Sequence, residues 1–213
     1  MSTFVYDLIG LAAGVCFVLA LKGLSSPKSA RRGNLIGALG ATIATVVIFF
    51  YAAPDKDGNA TSLPLDNLGW ILGAIAVGTL IGVPAARKVQ MTQMPQLVAL
   101  FNGVGGGAAA LVAIVEYLSL GDGATTAVVI ATVFTVVVGC VSFSGSIVTF
   151  LKLQELMTTR PVVFPGGRFV IAGTLVAVLG VSGWVVVALG TTPLLILAAL
   201  SLLFGILFVL PVG

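Results

Sequence analysis

The chain has 213 residues, of which 59% are hydrophobic and only 8% charged, and its mean hydropathy is +1.20. Soluble domains carry about 25% charged residues, so this composition excludes a water-soluble globular fold and points to a chain that lives in lipid. The net charge of +3 and a pI near 9.1 do not call for nucleic acid as a partner, because the placement of the cations along the chain accounts for them.

A membrane-spanning helix needs about 20 apolar residues. Runs of that kind occupy approximately 3–24, 31–53, 66–86, 93–118, 124–157, 167–189 and 191–211. The period-two alternation of an outer-membrane barrel is absent. The expected fold is therefore an all-α integral membrane protein, a bundle of about seven transmembrane helices. In the first run Asp7 is the only charge before Lys22, so no basic leader precedes it, and it reads as a retained helix, not a signal peptide. Pro27 and the polar cluster that follows it predict a tight hairpin between the first two helices. The segment 54–66 is acidic and holds glycine and proline, as a solvated loop would. Its Asn59-Ala60-Thr61 sequon is a short match that chance supplies.

Charge sets the expected orientation. Lys22, Lys28, Arg31, Arg32, Arg87, Lys88, Lys152, Arg160 and Arg168 fall in alternate loops, and Lys56 alone falls in the others. By the positive-inside rule the first set is cytoplasmic, which puts the N-terminus outside and the C-terminus in the cytoplasm. Asp7, Asp55, Asp57, Asp66, Glu116 and Asp122 lie on the opposite side. Tyr6, Tyr51, Trp70, Tyr117 and Trp184 lie there too and suit an interfacial belt.

The fourth helix is expected to begin near Met94-Pro95, since proline is tolerated in a first turn. Within it Gly103 and Gly107 form a GxxxG pair beside Gly105 and Gly106, the spacing that lets helix backbones approach closely in lipid. Asn102 is of a different kind. An amide in hydrocarbon is costly without partners, so it is expected to face the bundle interior or a wet cavity. An interhelical hydrogen bond and a role in transport both remain open for it.

The fifth run exceeds a simple span, and its inner end, Lys152-Leu-Gln-Glu-Leu156, is expected to project from the bilayer as an amphipathic extension. Thr132, Thr135, Gly139, Ser142, Ser146 and Thr149 recur at steps of three and four and so share one helix face. Such a stripe either solvates a file of water or bonds back to the carbonyls of its own preceding turn. Glu116 lies fourteen residues beyond Asn102, on the same face and near the outer surface. The loop 158–168 is rich in turn formers and carries Arg160 and Arg168. The last two runs hold few polar residues beyond Thr174, Ser182 and Ser201 and read as scaffold.

Several chemistries are excluded. The sequence has no histidine, the usual metal ligand and neutral-pH proton carrier. Cys16 and Cys140 fall in separate spans with no Cys-x-x-Cys, so neither a disulfide framework nor a metal site is indicated. No nucleotide-binding glycine fingerprint follows a strand, and the glycines from Gly103 to Gly107 sit mid-span, where they cannot cradle phosphate. No Ser/His/Asp set and no paired buried carboxylates are present, so catalytic residues and bound cofactors of this chain are expected to be none.

Three motifs in order carry a resemblance. Lys88-Val-Gln-Met-Thr-Gln-Met-Pro-Gln-Leu-Val-Ala-Leu-Phe-Asn-Gly-Val-Gly-Gly-Gly107 is the first. Phe143-Ser-Gly-Ser-Ile-Val-Thr-Phe-Leu-Lys-Leu-Gln154 and Arg160-Pro-Val-Val-Phe-Pro-Gly166 follow. Together they closely resemble the beta subunit of proton-translocating NAD(P) transhydrogenase, over the whole chain. The resemblance implies the membrane part of an enzyme of the bacterial inner membrane that couples inward proton flow to hydride transfer from NADH to NADP. NAD(H) would sit on a domain of the alpha polypeptide and NADP(H) on a C-terminal domain of the beta subunit. The working assembly would be a dimer of alpha-beta units.

Residue by residue, a membrane histidine of some family members falls at Asn102, a family acid at Thr132, and the serine of the Ser-Gly-Ser element at Ser146. The implied proton path is Asn102, Thr132, Ser142, Ser146 and Glu116. Gly103, Gly107 and Gly139 are expected to pack helices, and Arg87, Lys88, Lys152 and Arg160 to form an inner mouth that touches the nucleotide domain. Members with Phe-Asn-Gly at this place are expected to draw a histidine from the alpha polypeptide. The family's last two membrane helices and NADP-binding domain lie beyond Gly213, so residues 1–213 are expected to be an incomplete transmembrane proton-channel domain that does not catalyse alone. Two other classes compete with this reading: a small secondary transporter that uses the same polar stripe for a solute, although no inverted repeat stands out, and a purely structural membrane subunit.

Overall fold

Glycine and alanine at helical spacing decide which helices of this chain meet. In the computed structural model, which describes residues 3–26, 28–49 and 68–212, seven α-helices appear and, among the described residues, no strand. They are α1 (Thr3–Leu24), α2 (Ala30–Ile48), α3 (Leu68–Lys88), α4 (Met94–Leu120), α5 (Thr126–Leu153), α6 (Gly167–Ala188) and α7 (Thr191–Val209). Six of them, all but α2, are long and apolar enough to cross a membrane. The described part of α2 opens on Arg31, Arg32 and Asn34, and these polar residues dilute its apolar stretch. The sequon, Tyr51 and the acidic loop lie outside the described residues.

The chain divides into two units, residues 1–86 and 87–213. In the first, α1 and α2 form the expected hairpin. Ala13 and Ala20 are buried. A Cβ placed on Gly23 would lie 2.6 Å from the Gly33 Cα, and one on Gly40 would lie 2.8 Å from the Cys16 Cβ. The Ser29 hydroxyl closes the turn by donating to the Gly23 carbonyl at 2.7 Å. No residue of α3 is buried.

In the second unit α5 is the central helix, packed against α4, α6 and α7. Its core is Val129, Val133, Val136 and Cys140, joined by Ala110 and Tyr117 of α4, Val178 and Val185 of α6, and Leu194 and Leu197 of α7. The β-branched residues that dominate α5 are stiff at χ1, so their burial loses little rotamer freedom. The exterior is apolar as well: Leu111, Phe134, Val176 and Val187 are all more than 60% exposed. Exposed apolar surface on this scale suits hydrocarbon, not water.

The ends of the helices follow local chemistry. A 3₁₀ turn, Met91–Gln93, leads into α4, and Pro95 sits in the first turn as expected. The Thr125 hydroxyl caps α5 by accepting from the Val128 N–H at 3.4 Å. The expected amphipathic extension of this helix to Leu156 is not formed, because α5 stops at Leu153. Glu155 takes a left-handed conformation, φ 58°, while its N–H returns to the Lys152 carbonyl and that of Leu156 to the Leu151 carbonyl. This paired closure, usually built on glycine, satisfies the carbonyls that an extension would have used. Tyr117 also departs from expectation: it is 4% exposed and belongs to the core, not to an interfacial belt.

A close approach lies between α4 and α5. A Cβ on Gly139 would stand 2.5 Å from the Gly106 carbonyl oxygen and 2.9 Å from the Ala110 Cβ. One on Gly106 would meet the Ser142 Cβ at 2.8 Å, and one on Gly103 the Ser146 Cβ at 3.0 Å. Gly103, Gly106 and Ala110 thus oppose Gly139, Ser142 and Ser146, both sets at steps of three and four. Gly107, expected in the seam as the partner of Gly103, faces only the Phe143 ring, whose Cδ2 would lie 2.9 Å from its Cβ.

Gly139→Ala should therefore push two backbones apart and destabilise by about 1–3 kcal/mol. Gly105→Ala, where an added Cβ meets nothing within 4 Å, should be neutral or stabilise by up to about 1 kcal/mol through helix propensity. Thermal unfolding of the two variants in detergent checks the contrast, and an equal effect of both would contradict the seam.

Candidate functional site on the α4/α5 face

Asn102 stands one residue before the first glycine of the seam, so the close approach that the glycines allow also brings α5 within reach of its short side chain. Its Nδ2 donates to the Ser142 Oγ at 3.0 Å and to the Ser146 Oγ at 2.9 Å. Both amide hydrogens are thereby used. Ser142 and Ser146 are one turn apart on α5, and this spacing fits the two-pronged donor. Ser146 is only 9% exposed and Ser142 is half-buried. Asn102 itself lies at the exposed edge of the pair.

Other hydroxyls of α5, on and off the stripe, behave differently. Thr135 donates to the Ala131 carbonyl at 2.8 Å, Ser144 to Cys140 at 3.0 Å and Thr149 to Gly145 at 2.9 Å. Each bonds back to its own helix four residues earlier and needs no other partner. The back-bonding expectation for the stripe therefore holds at Thr135 and Thr149, whereas Ser142 and Ser146 serve the amide of a neighbouring helix. Thr174 and Ser182 of α6 likewise bond back to Val170 and Val178.

Beside the trio a cleft of about 350 Å³ opens between α4 and α5, lined by Phe101, Asn102, Gly105, Gly106, Phe134 and Ser142 among others. Its floor is glycine, so the polar trio is approachable from that side. A second cleft of about 480 Å³ on another side of α4 is lined by Val104, Leu111, Ile114, Phe143, Ala198 and Leu202 among others. That one offers only apolar contact.

Glu116 and Thr132 do not join the trio. Glu116 lies fourteen residues beyond Asn102, and Thr132 fourteen before Ser146. At 1.5 Å per residue each is about 21 Å away along its helix. The antiparallel register that pairs Asn102 with Ser146 sets Glu116 and Thr132 at one level, with Glu116 exposed and Thr132 buried. The expected path residues thus fall at two levels of one helix pair.

The inner-mouth cations also divide. Arg87, Lys88 and Arg160 are exposed. Lys152 is buried, 7% exposed, and its ammonium donates to main-chain carbonyls at the end of α7: Leu210 at 2.7 Å, Val209 at 3.4 Å and also Val212. It is turned inward and is not an open contact of this chain. Two glutamines that sequence reading passed over close the same end of α4 and α5. Gln96 donates to the Leu153 carbonyl at 2.7 Å and accepts from Gln154 Nε2 at 2.6 Å. Gln96 was legible as an amide one residue after Pro95, but nothing local shows that it reaches a chain segment 57 residues away.

No group of three or more His, Cys, Asp or Glu side chains able to hold a metal occurs among the described residues. With its trio, its clefts and its small-residue seam, the arrangement can bind water and pack a further helix, and it holds no nucleophile–base pair.

The family model for the NAD(P) transhydrogenase beta subunit matches residues 6–213. The chain belongs to that family. The NAD(P) transhydrogenase subunit beta of Rhodospirillum rubrum, and the same subunit from a strain of that species, are each 40% identical over 162 residues. Those residues are 73% of this chain and 32% of each relative. The chain therefore spans about a third of the length of the curated relatives it matches. Membership does not favour the solute-transporter reading, and it agrees with the resemblance carried by the three motifs.

A double-mutant cycle tests the trio. Asn102→Ala and Ser146→Ala should couple by about 0.6–1.7 kcal/mol, the range of polar contacts between membrane helices, when unfolding is followed in detergent. Ser144→Ala, whose hydroxyl bonds only within its helix, should show no coupling to Asn102→Ala. A zero coupling between Asn102 and Ser146 would contradict the contact.

Proposed function

We propose that this chain is part of the membrane proton-translocating portion of an NAD(P) transhydrogenase, and that the α4/α5 face lines one side of its proton path. The observation that carries this reading is the double hydrogen bond from Asn102 to Ser142 and Ser146. With both amide hydrogens committed inward, the Asn102 Oδ1 keeps its acceptor capacity, and each serine keeps a hydroxyl proton to give. Such a set holds water in a fixed orientation, which is what relaying a proton requires when the chain itself has no histidine.

The titrating group would come from elsewhere. The cleft floored by Gly105 and Gly106 fits a helix of the alpha subunit carrying a polar or titratable side chain at the level of Asn102. Small residues permit that approach. Glu116 and Thr132, at the other level of the helix pair, would serve as the outer stage. Arg87, Lys88 and Arg160 would face the cytoplasmic nucleotide-binding domain of the complete beta subunit, where NADP(H) is bound, with NAD(H) on the alpha subunit. The cation distribution supports an outside N-terminus and a cytoplasmic C-terminus, in the bacterial inner membrane, with alpha-beta units paired as a dimer.

In the complete enzyme reconstituted in vesicles, Asn102→Leu should lower proton-coupled transhydrogenation by about tenfold or more, because it removes both bonds and the acceptor. Ser146→Ala should lower it less, since Asn102 retains Ser142. Proton flux and hydride transfer are measured together, and unchanged coupling in both variants would remove this face from the path.

A further inference from the structure

Lys152 is the one charged side chain among the described buried residues. A buried ammonium is costly unless its three hydrogens find acceptors. Here they do: the carbonyls of Val209, Leu210 and Val212 receive them. Val209 is the last residue of α7, and its neighbours belong to the segment by which the chain leaves that helix. Carbonyls at a helix C-terminus are the ones left without partners inside the helix, and they carry the negative end of its dipole. A cation supplied by another helix is the complement to both. The same exit segment is tied once more, by the Val162 N–H donating to the Leu210 carbonyl at 3.1 Å.

The place of Lys152 on α5 gives the contact its consequence. It stands six residues beyond Ser146, about 9 Å along the helix, and two before Gln154, which with Gln96 joins α5 to α4. Deeper in the same interface Gly145 lies against α7, where an added Cβ would meet the Val209 Cγ2 at 3.1 Å. One helix end thus holds α4 through glutamines and α7 through an ammonium.

We propose that Lys152 is a positioning residue that fixes where the chain leaves α7 and makes that exit move with α5. Its role differs from the open contact that its charge suggests in sequence. A displacement of α5 at Ser142 and Ser146 carries Lys152 with it and shifts the α7 exit. The reverse also holds, so the polar trio and whatever follows α7 are mechanically linked. The linkage to proton movement rests on the proposed function; the positioning of the exit does not.

The test uses the complete beta subunit assembled with its alpha partner in membranes, as Lys152→Met, Lys152→Gln and Lys152→Arg. Hydrogen–deuterium exchange of the Val209, Leu210 and Val212 amides reads the positioning. Exchange should rise about tenfold in the Met variant, less in Gln, which can still donate, and stay close to the parent in Arg. Proton flux per hydride transferred reads the linkage and should fall in Met while Arg retains it. Parent-like exchange in Met, or in Gln should Met not assemble, overturns the proposal, as does equal perturbation by Met and Arg. Altered exchange with an unchanged flux ratio leaves the positioning standing and removes the link to proton movement.

Discussion

A helix in hydrocarbon gains little by burying leucine against a neighbour, because the lipid it displaces is equally apolar. What holds α4 to α5 must therefore be close van der Waals contact and hydrogen bonding, and both depend on the opposing backbones coming near. Gly103, Gly106 and Ala110 on one helix and Gly139 on the other remove the side chains that would keep them apart. Only at that separation can an asparagine, with a single methylene in its side chain, reach two serines on the facing helix. The polar trio is a product of the seam, and enlarging any residue of the seam is expected to break the trio before it breaks the helices.

The same constraint sorts the hydroxyls of α5. In a medium without water each must find an acceptor, and the nearest is the carbonyl four residues earlier. Thr135, Ser144 and Thr149 take it. Ser142 and Ser146 instead accept from Asn102, which leaves their protons available to a further partner. With Asn102 these two serines form a locus with unspent hydrogen-bonding capacity, and it borders a glycine-floored cleft. At the C-terminal end of α5 the same economy recurs, where Lys152 donates to carbonyls at the end of α7 and Gln96, held by Gln154, donates to the Leu153 carbonyl.

Much of this was readable beforehand. Long apolar runs gave the helices because hydrocarbon thickness sets a minimum length, and Pro95 marked the start of α4 because its missing N–H costs nothing in a first turn. Asn102 stood out because an amide in an apolar run demands a partner. The identity of that partner was not legible, since Ser142 and Ser144 differ in sequence only by the side of α5 they occupy. GxxxG spacing pointed to Gly107, which packs against the Phe143 ring of α5, whereas the approach of the two backbones uses Gly106. Adjacent glycines are indistinguishable until the crossing of the two helices is known. Lys152 was misread for a related reason: charge near a helix end reads as exposed, and only the position of α7 shows that its carbonyls await a cation.

Whether water or a polar group uses the free capacity of the trio when the chain is assembled decides whether this face can line a proton path. A structure of the complete alpha-beta enzyme, resolved well enough to place ordered water, addresses this directly. It should show water or a polar side chain of the alpha subunit within hydrogen-bonding distance of the Asn102 Oδ1, at the mouth of the Gly105–Gly106 cleft. An Asn102 oxygen packed against acyl chains or dry apolar side chains would contradict it.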